Sequence, residues 1–583
     1  MASLRGLFAK RPDAVRDVID AVYARIAADG DPALWIALVP HEQARARAAE
    51  LAALVGAARA KLPLFGIPFA VKDNIDVAGM PTTAACPAFA HTPERGANVV
   101  ARLLAAGAIL VGKTNLDQFA TGLVGVRSPY GTPRNAFHAG YAPGGSSSGS
   151  ATAVAKGLVS FALGTDTAGS GRVPAAFNNI VGLKPTRGAI GASGVVPACR
   201  SLDTVSIFAL TVGDAAEVLT AAAGEDALDP FGRAAPPAWS PRPQLARRKF
   251  RFGVPRADQL RFFGNVETPK LFEAAIAGFK KLGGAATEID YAPFAEAAAL
   301  LYQGPWVAER HAAVGDFIER NPEAVHPVTR KIVEGGRAYS ARAAFEGLYK
   351  LETLRRAAAP LWRDLDFLLL PTAGTIYTLD AIERDPVGLN TNLGYYTNFV
   401  NLMDLSALAV PAGFQSDGLP FGVTLVAPAW HEAVIGGWGE AFHRAQRLTL
   451  GATGSKLAAP DVAGVKPAAY PTLPLLVVGA HMEGLPLNWQ LSSLGARLAA
   501  KVKTAPHYRF FDLGGTPARP GLVRMGKGKR GGAIAGEVYD VPTSAVGAFL
   551  AQIPPPLAIG SVELSDGSWV KGFLCEAAAA EGA

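Results

Sequence analysis

Apolar residues between positions 13 and 61 recur at helical spacing, as in DAVRDVIDAVYARIAADG, and predict two amphipathic helices. From Leu64 the texture changes to short apolar runs punctuated by Gly and Pro, first FGIPFAVKDNID and then ANVVARLLAAGAILVGKTNLDQFA. The second run reads as a helix followed by a buried strand, so strands and helices begin to alternate. That alternation predicts a mostly parallel sheet covered by helices. Further helical patterns run over 267–282, 293–320 and 338–360, with apolar strands at Asp366–Pro371 and around Gly422–Val426. A helix near 431–448 closes this unit.

The next stretch, LGATGSKLAAPDVAGVKPAAYPTLP, has no period and reads as a linker. Beyond it lie a buried strand, LPLLVVGAHM, and many short β-like runs separated by glycines. The expected fold class is therefore α/β: a large domain over 1–455, a linker over 456–470, and a small β-rich α+β domain over 471–583. The large domain is expected to hold a mostly parallel mixed sheet.

Composition agrees with that division. A chain of 583 residues exceeds what one hydrophobic core supports. With 50% hydrophobic and 18% charged residues, general disorder is excluded. The net charge of +7 is a mild surplus of 56 basic over 49 acidic residues. Its densest cluster, Arg524, Lys527, Lys529 and Arg530, sits among glycines and reads as a solvated loop, so no nucleic-acid partner is expected. Cys86, Cys199 and Cys575 are far apart and form no CxxC pair, and the nine histidines show no ligand spacing, so neither a metal nor a cofactor is expected. Arg5, Lys10 and Arg11 interrupt any secretory core, and Pro554, Pro555 and Pro556 break the longest uncharged stretch. A soluble cytoplasmic protein without a membrane partner is the expectation.

Glycine is concentrated in residues 140–191, where backbone turns sharply or approaches something closely. The segment Gly144-Gly145-Ser146-Ser147-Ser148-Gly149-Ser150 precedes Gly164-Thr165-Asp166-Thr167-Ala168-Gly169-Ser170-Gly171-Arg172, and Lys72 lies upstream in VKDNID. A serine hydroxyl needs a base to become a nucleophile, and a buried lysine with a lowered pKa can serve. A second serine can relay the proton. A tight turn ending at Ser170 could aim the N–H groups of Thr167, Ala168, Gly169 and Ser170 at one point, forming an oxyanion hole.

The three motifs VKDNID, PGGSSSGSATAVA and GTDTAGSGRVPAAFNNIVGLKPTRG, in this order and spacing, resemble the amidase signature family over roughly residues 10–450. The resemblance implies that Ser170 is the acyl-forming nucleophile, Ser146 a bridging serine after a cis Gly145-Ser146 peptide, and Lys72 the base. Asp166 and Arg172 would scaffold the loop. Ser148 departs from the family, which more often carries glycine there.

The family accepts very different amides, so the substrate must be read from other features. Tyr302 and Arg310 in LYQGPWVAER lie about two turns apart if one helix carries both, and an arginine beside a tyrosine suits a small carboxylate. The segments TGLVGVRSPYG and LYQGPWVAER, with the appended domain, are similar to the allophanate-hydrolysing members of the family. That resemblance implies allophanate (urea-1-carboxylate) as the small-molecule substrate, bound by Tyr302 and Arg310 with backbone near Gly122, and Arg127 as a further candidate. It also implies a homodimer, a functional link to a biotin-dependent urea carboxylase, and a second domain like the γ-glutamylcyclotransferases that decarboxylates N-carboxycarbamate through His481. Glu537, Tyr539, Arg519 and Arg524 are candidates to line a small anionic pocket there. The alternatives are another amidase of the family, a transamidating subunit with a tRNA-recognising partner, or an inactive scaffold.

Overall fold

The computed structural model of the chain describes residues 1–236, 239–244, 249–457, 472–494, 496–518, 520–526, 529–576 and 578. They fall into two compact units, Met1–Ala235 with Ser240–Ala458, and Pro236–Trp239 with Ala459–Ala583. Most of the expected linker, 458–470, lies outside the described residues.

Unit one is built on an 11-stranded sheet. Its strands are β1 (Trp35–Leu38), β2 (Pro68–Lys72), β3 (Ile109–Thr114), β4 (Phe161–Asp166), β5 (Val181–Lys184), β6 (Thr204–Ala209), β7 (Phe250–Pro255), β8 (Gly284–Ile289), β9 (Phe367–Pro371), β10 (Leu405–Phe414) and β11 (Pro420–Pro428). They run in the order β1-β3-β2-β4-β6-β5-β10-β11-β9-β7-β8. The pairs β2–β3, β2–β4, β7–β8 and β7–β9 are parallel. The pairs β1–β3, β4–β6, β5–β6, β5–β10, β10–β11 and β9–β11 are antiparallel.

The sheet is thus mixed, as expected, but antiparallel pairings outnumber parallel ones. The reason lies in burial. Central strands β2 to β6 and β9 are buried along their whole length. An apolar run covered on both faces has no alternation, whichever way its neighbour runs. Each fully buried Leu or Phe in these strands contributes about 1.5–3 kcal/mol.

Three helices, Ala14–Asp29, His41–Ala52 and the short Gly56–Ala60, form in the region where two are expected. The first ends on Gly30 in the left-handed conformation, φ +58°. The edge strand β1 separates it from the second. Its four residues are too few to show a period. Thr268–Lys281, Ala341–Ala358 and Glu432–Gln446 match the other expected helices, the second capped by Ser340 Oγ accepting from Ala343 N–H at 3.1 Å.

The pattern over 293–320 is instead two helices, Ala292–Gln303 and Trp306–Arg320. Gly304 is extended and Pro305, which lacks an N–H and whose ring would collide with the preceding turn, starts the second. Tyr302 and Arg310 therefore stand on different helices and not on one face of one helix.

Unit two holds β12 (Thr472–Val477), β13 (Arg497–Lys503), β14 (Tyr508–Asp512), β15 (Pro520–Arg524), β16 (Ala535–Pro542), β17 (Leu557–Glu563) and β18 (Trp569–Cys575). Five form a sheet ordered β13-β16-β12-β18-β17, and β14 pairs with β15. A core of Leu475, Val477, Tyr539, Val541, Phe549 and Phe573 packs against it. The small β-rich expectation is met. No helix among the described residues is long and apolar enough to cross a membrane.

Candidate functional site

The site begins where parallel strands end together. Val71 of β2 pairs with Leu163 of β4, so the C-terminal residues of both strands, Lys72 and Thr165-Asp166, emerge side by side. Lys72 Nζ donates to Thr165 Oγ1 and to Ser146 Oγ, each at 2.7 Å, and Lys72 and Ser146 are wholly buried. Asn74 Nδ2 also reaches Thr165 Oγ1, at 3.3 Å. Burial pushes the Lys72 ammonium down to about 7, against the opposing pull of Asp117, Asp203 and Asp166 and with the help of Arg310. A lysine in that range is neutral often enough near neutral pH to accept a proton.

Ser146 follows a cis peptide bond from Gly145. The bond packs against Asp117, where any side chain at Gly145 would collide with the carboxylate. Asp117 organises the surroundings: its carboxylate accepts from Gly125 N–H at 3.0 Å and Arg127 N–H at 2.9 Å, and its own N–H donates to Ser146 O at 3.0 Å. Ser148 Oγ is buried and makes no hydrogen bond among the described residues.

Ser170 lies beyond β4 in a loop held from beneath by Asp166. Arg172 grips that carboxylate with Nε and Nη2, both at 2.9 Å, and both side chains are fully buried. Gly171 N–H joins at 3.0 Å, and Asn401 Nδ2 donates to Asp166 O at 2.7 Å. Gly169 has φ +145°, and a Cβ there would run into Thr397. Among the described residues no protein acceptor takes the N–H groups of Thr167, Ala168, Gly169 or Ser170. Ser170 Oγ makes a long 3.5 Å contact with Gly122 O. No hydrogen bond joins Ser146 to Ser170 among the described residues.

Arg310 is 1% exposed. Its Nη1 donates to Thr121 Oγ1 and its Nη2 to Tyr302 OH, each at 3.2 Å, and the guanidinium lies 5.0 Å from the Tyr302 ring centroid. Its Nε has no partner among the described residues. Arg127 is buried too, but its Nη1 and Nη2 donate to Thr121 O at 2.9 Å and Pro386 O at 2.6 Å, which ties it to backbone. The 121–127 segment therefore joins Gly122, Ser170, Arg127 and Arg310 in one neighbourhood.

In unit two His481 sits in a short turn after β12. Its ring stacks on Phe573 at 4.9 Å and meets Phe549 edge-on at 5.7 Å, while Nε2 pairs with Gln490 Oε1 at 2.8 Å. Burial lowers its pKa, with Gln490 opposing. Tyr539 OH donates to Glu537 Oε2 at 3.2 Å, Glu483 N–H to the same oxygen at 2.7 Å, and Asn488 Nδ2 bridges His481 O and Tyr539 OH. Arg524 does not join this group: it pairs with Glu563 at 2.5 Å and lies over Trp569. Arg519 and Lys527 lie outside the described residues.

Sequence reasoning missed Asp117, Thr165, Asp203 and Thr397. Thr165 stands inside the quoted GTDTAGSG motif and could have been found there. The others are isolated residues brought in by the tertiary fold. Among the described residues no three His, Cys, Asp or Glu side chains are grouped to hold a metal.

Two family models match the chain: Amidase over residues 17–435 and Allophanate hydrolase C-terminal domain over 473–583. A structure of Kluyveromyces lactis allophanate hydrolase is similar at 41% identity and a TM-score of 0.79, covering 97% of this chain and 93% of that one. Urea amidolyase of Saccharomyces cerevisiae is 44% identical over 529 residues, which are 88% of this chain and 28% of that protein. The chain thus spans under a third of that curated relative. The structure of a peptide amidase from Stenotrophomonas maltophilia is similar at 31% identity and a TM-score of 0.63, covering 76% of this chain and 96% of that one. With a match over most of its length and the Lys72–Ser146 arrangement at the end of β2, the chain belongs to the amidase family.

Proposed function

We propose that the chain hydrolyses allophanate, with Ser170 as nucleophile, Ser146 as proton relay and Lys72 as base. The observation that carries the substrate is the buried Arg310–Tyr302 pair, tied through Thr121 to the segment that meets Ser170. A desolvated arginine with an unpartnered Nε suits a carboxylate, because charge-assisted hydrogen bonds are strongest where water is excluded.

Neutral Lys72 takes the Ser146 proton as Ser146 takes that of Ser170. Ser170 Oγ then attacks the ureido carbonyl of allophanate, the one that bears the terminal amino group and stands one nitrogen away from the carboxylate. The unpaired N–H groups of Thr167 to Ser170 hold the oxyanion. Collapse breaks the bond from that carbon to the terminal amino nitrogen, the relay returns the proton, and ammonia leaves. Water then cleaves the Ser170 ester along the same relay and releases N-carboxycarbamate. The proposed second domain, 471–583, decarboxylates that product with His481 taking part, while 1–455 does the hydrolysis and 456–470 joins them. The likeness to urea amidolyase and to the allophanate hydrolase C-terminal domain supports this division. The reading includes a cytoplasmic homodimer working downstream of a biotin-dependent carboxylase that makes allophanate from urea.

The test is ammonia release from allophanate against a panel of aliphatic and peptide amides. The expected result is a kcat/KM for allophanate at least about a hundredfold higher. A preference for neutral amides rejects the substrate.

A further inference from the structure

Asp203, immediately before β6, is a buried carboxylate to which the proposed reaction gives no part. It accepts from Thr167 Oγ1, from Ala198 N–H at 2.8 Å and from Cys199 N–H at 3.2 Å. The N–H groups of Leu202 and Asp203 donate back to Cys199 O, each at 2.8 Å, so 198–203 is a tight loop closed on its own carboxylate. The outer side of that loop grips the helix Trp306–Arg320. Ser201 N–H and Oγ each reach Glu309 at 2.7 Å, and Cys199 Sγ lies 3.5 Å from Trp306 O. Glu309 is the neighbour of Arg310, and Thr167 opens the segment that ends at Ser170.

We propose that Asp203 is a positioning residue, the link that keeps the Thr167–Ser170 loop in register with Arg310 so that both ends of one small substrate meet their partners together. The inference rests on the assignments of Ser170 and Arg310 made above. Packing alone would hold a loop with an apolar residue. A carboxylate with three donors, one of them a hydroxyl from the loop it faces, fixes both distance and direction.

The same carboxylate acts on charge. The charged groups around Lys72 are Asp117, Asp203, Asp166 and Arg310, and those around Arg310 include Asp203 and Glu309, with Tyr302 and Cys199 beside them. Burial pushes the Asp203 carboxyl up to about 6, against the hydrogen bonds from Thr167, Ala198 and Cys199. Above that pH it favours the protonated form of Lys72.

The experiment uses the full chain and whichever amide the wild type turns over fastest. Asp203→Asn keeps the shape and removes the charge. Its kcat is expected to fall about tenfold or more, and the acid limb of its kcat/KM profile to move to lower pH, because one carboxylate stabilising protonated Lys72 is gone. Thr167→Val is expected to lower kcat without moving that limb downward, and Thr167→Ser to restore it. A purely structural role would not move the limb in Asp203→Asn. An unmoved limb there, or a wild-type kcat in Thr167→Val, overturns the proposal. Should Asp203→Asn fail to fold, the Thr167 pair decides. A wild type inert toward allophanate but active on another amide rejects the substrate reading and leaves this comparison intact.

Discussion

Lys72 Nζ lies 2.7 Å from Ser146 Oγ with both side chains wholly buried. Its hydrogen-bond partners there are hydroxyls and not carboxylates, which is why burial holds Lys72 at about 7. In the proposed reaction the neutral form is the base, so kcat/KM should rise with pH through an apparent pKa of about 7 and level above it. Lys72→Ala should lower kcat by about a thousandfold and abolish that limb. An initial-rate pH profile in which wild type and variant share the same limb would assign the titration elsewhere.

Ser170→Ala removes the attacking oxygen of the proposed reaction and should leave no turnover above background. Ser146→Ala removes only the relay and should keep a residue of activity, about 10²- to 10⁴-fold below wild type. Rapid-quench mass spectrometry should find an acyl adduct on Ser170 in wild type and none in Ser170→Ala. An adduct that survives in Ser170→Ala would move the nucleophile.

Ser146 and Ser170 were legible because each sits in a short Gly- or Ser-rich motif whose local geometry is encoded next to it, and Lys72 because it ends an apolar run in VKDNID upstream of both. Tyr302 and Arg310 were legible as a pair, though not as neighbours on one helix. Gly304-Pro305 carries the break, but the apolar period continues on either side of it. Strand direction was hidden for a different reason. In β5, β6, β10 and β11 nearly every position is buried, and a uniformly buried run says nothing about whether its partner is parallel. Asp117 and Asp203 were invisible because their partners, Gly125, Arg127, Ala198 and Thr167, are chosen by loop closure in three dimensions.

Above the acid limb, Arg310 should matter for anionic substrates only; below it, loss of the guanidinium also lets the Lys72 pKa rise. Loss of a charge-assisted hydrogen bond of about 1.5–3 kcal/mol predicts that Arg310→Ala lowers kcat/KM for allophanate by about 10- to 100-fold. Neutral amides should change by less than about threefold. Arg310→Lys should not restore the wild-type value, since an ammonium cannot donate at once to Thr121, to Tyr302 and to a carboxylate in the guanidinium's planar geometry. Parallel kinetics on an anionic and a neutral amide check this, and equal losses on both would remove Arg310 from carboxylate binding.

His481→Ala should leave the first ammonia release intact while N-carboxycarbamate accumulates, seen by carbon-13 NMR as a persisting signal. Because the ring also stacks on Phe573, the same variant is expected to lower the Tm of its unit modestly. Normal carbon dioxide release together with a lowered Tm would assign His481 to packing alone.

Asp166 and Arg172 form the buried pillar beneath Ser170, and they set a stability prediction independent of the chemistry. Although burial pushes its pKa up, Arg172, Lys184 and the Gly171 N–H hold the Asp166 carboxyl below the usual range. A carboxyl so depressed contributes stability at any pH above its unfolded value of about 3.9 and loses it only as pH falls through the lower folded value. At neutral pH, Asp166→Ala strands a fully buried guanidinium and should cost about 3–5 kcal/mol. Asp166→Ala with Arg172→Met removes both charges and should cost less than the sum of the single variants, because the coupling between contacting residues is lost once. Urea unfolding followed by tryptophan fluorescence measures all three. Additive losses would mean that the pair is held by its surroundings and not by each other.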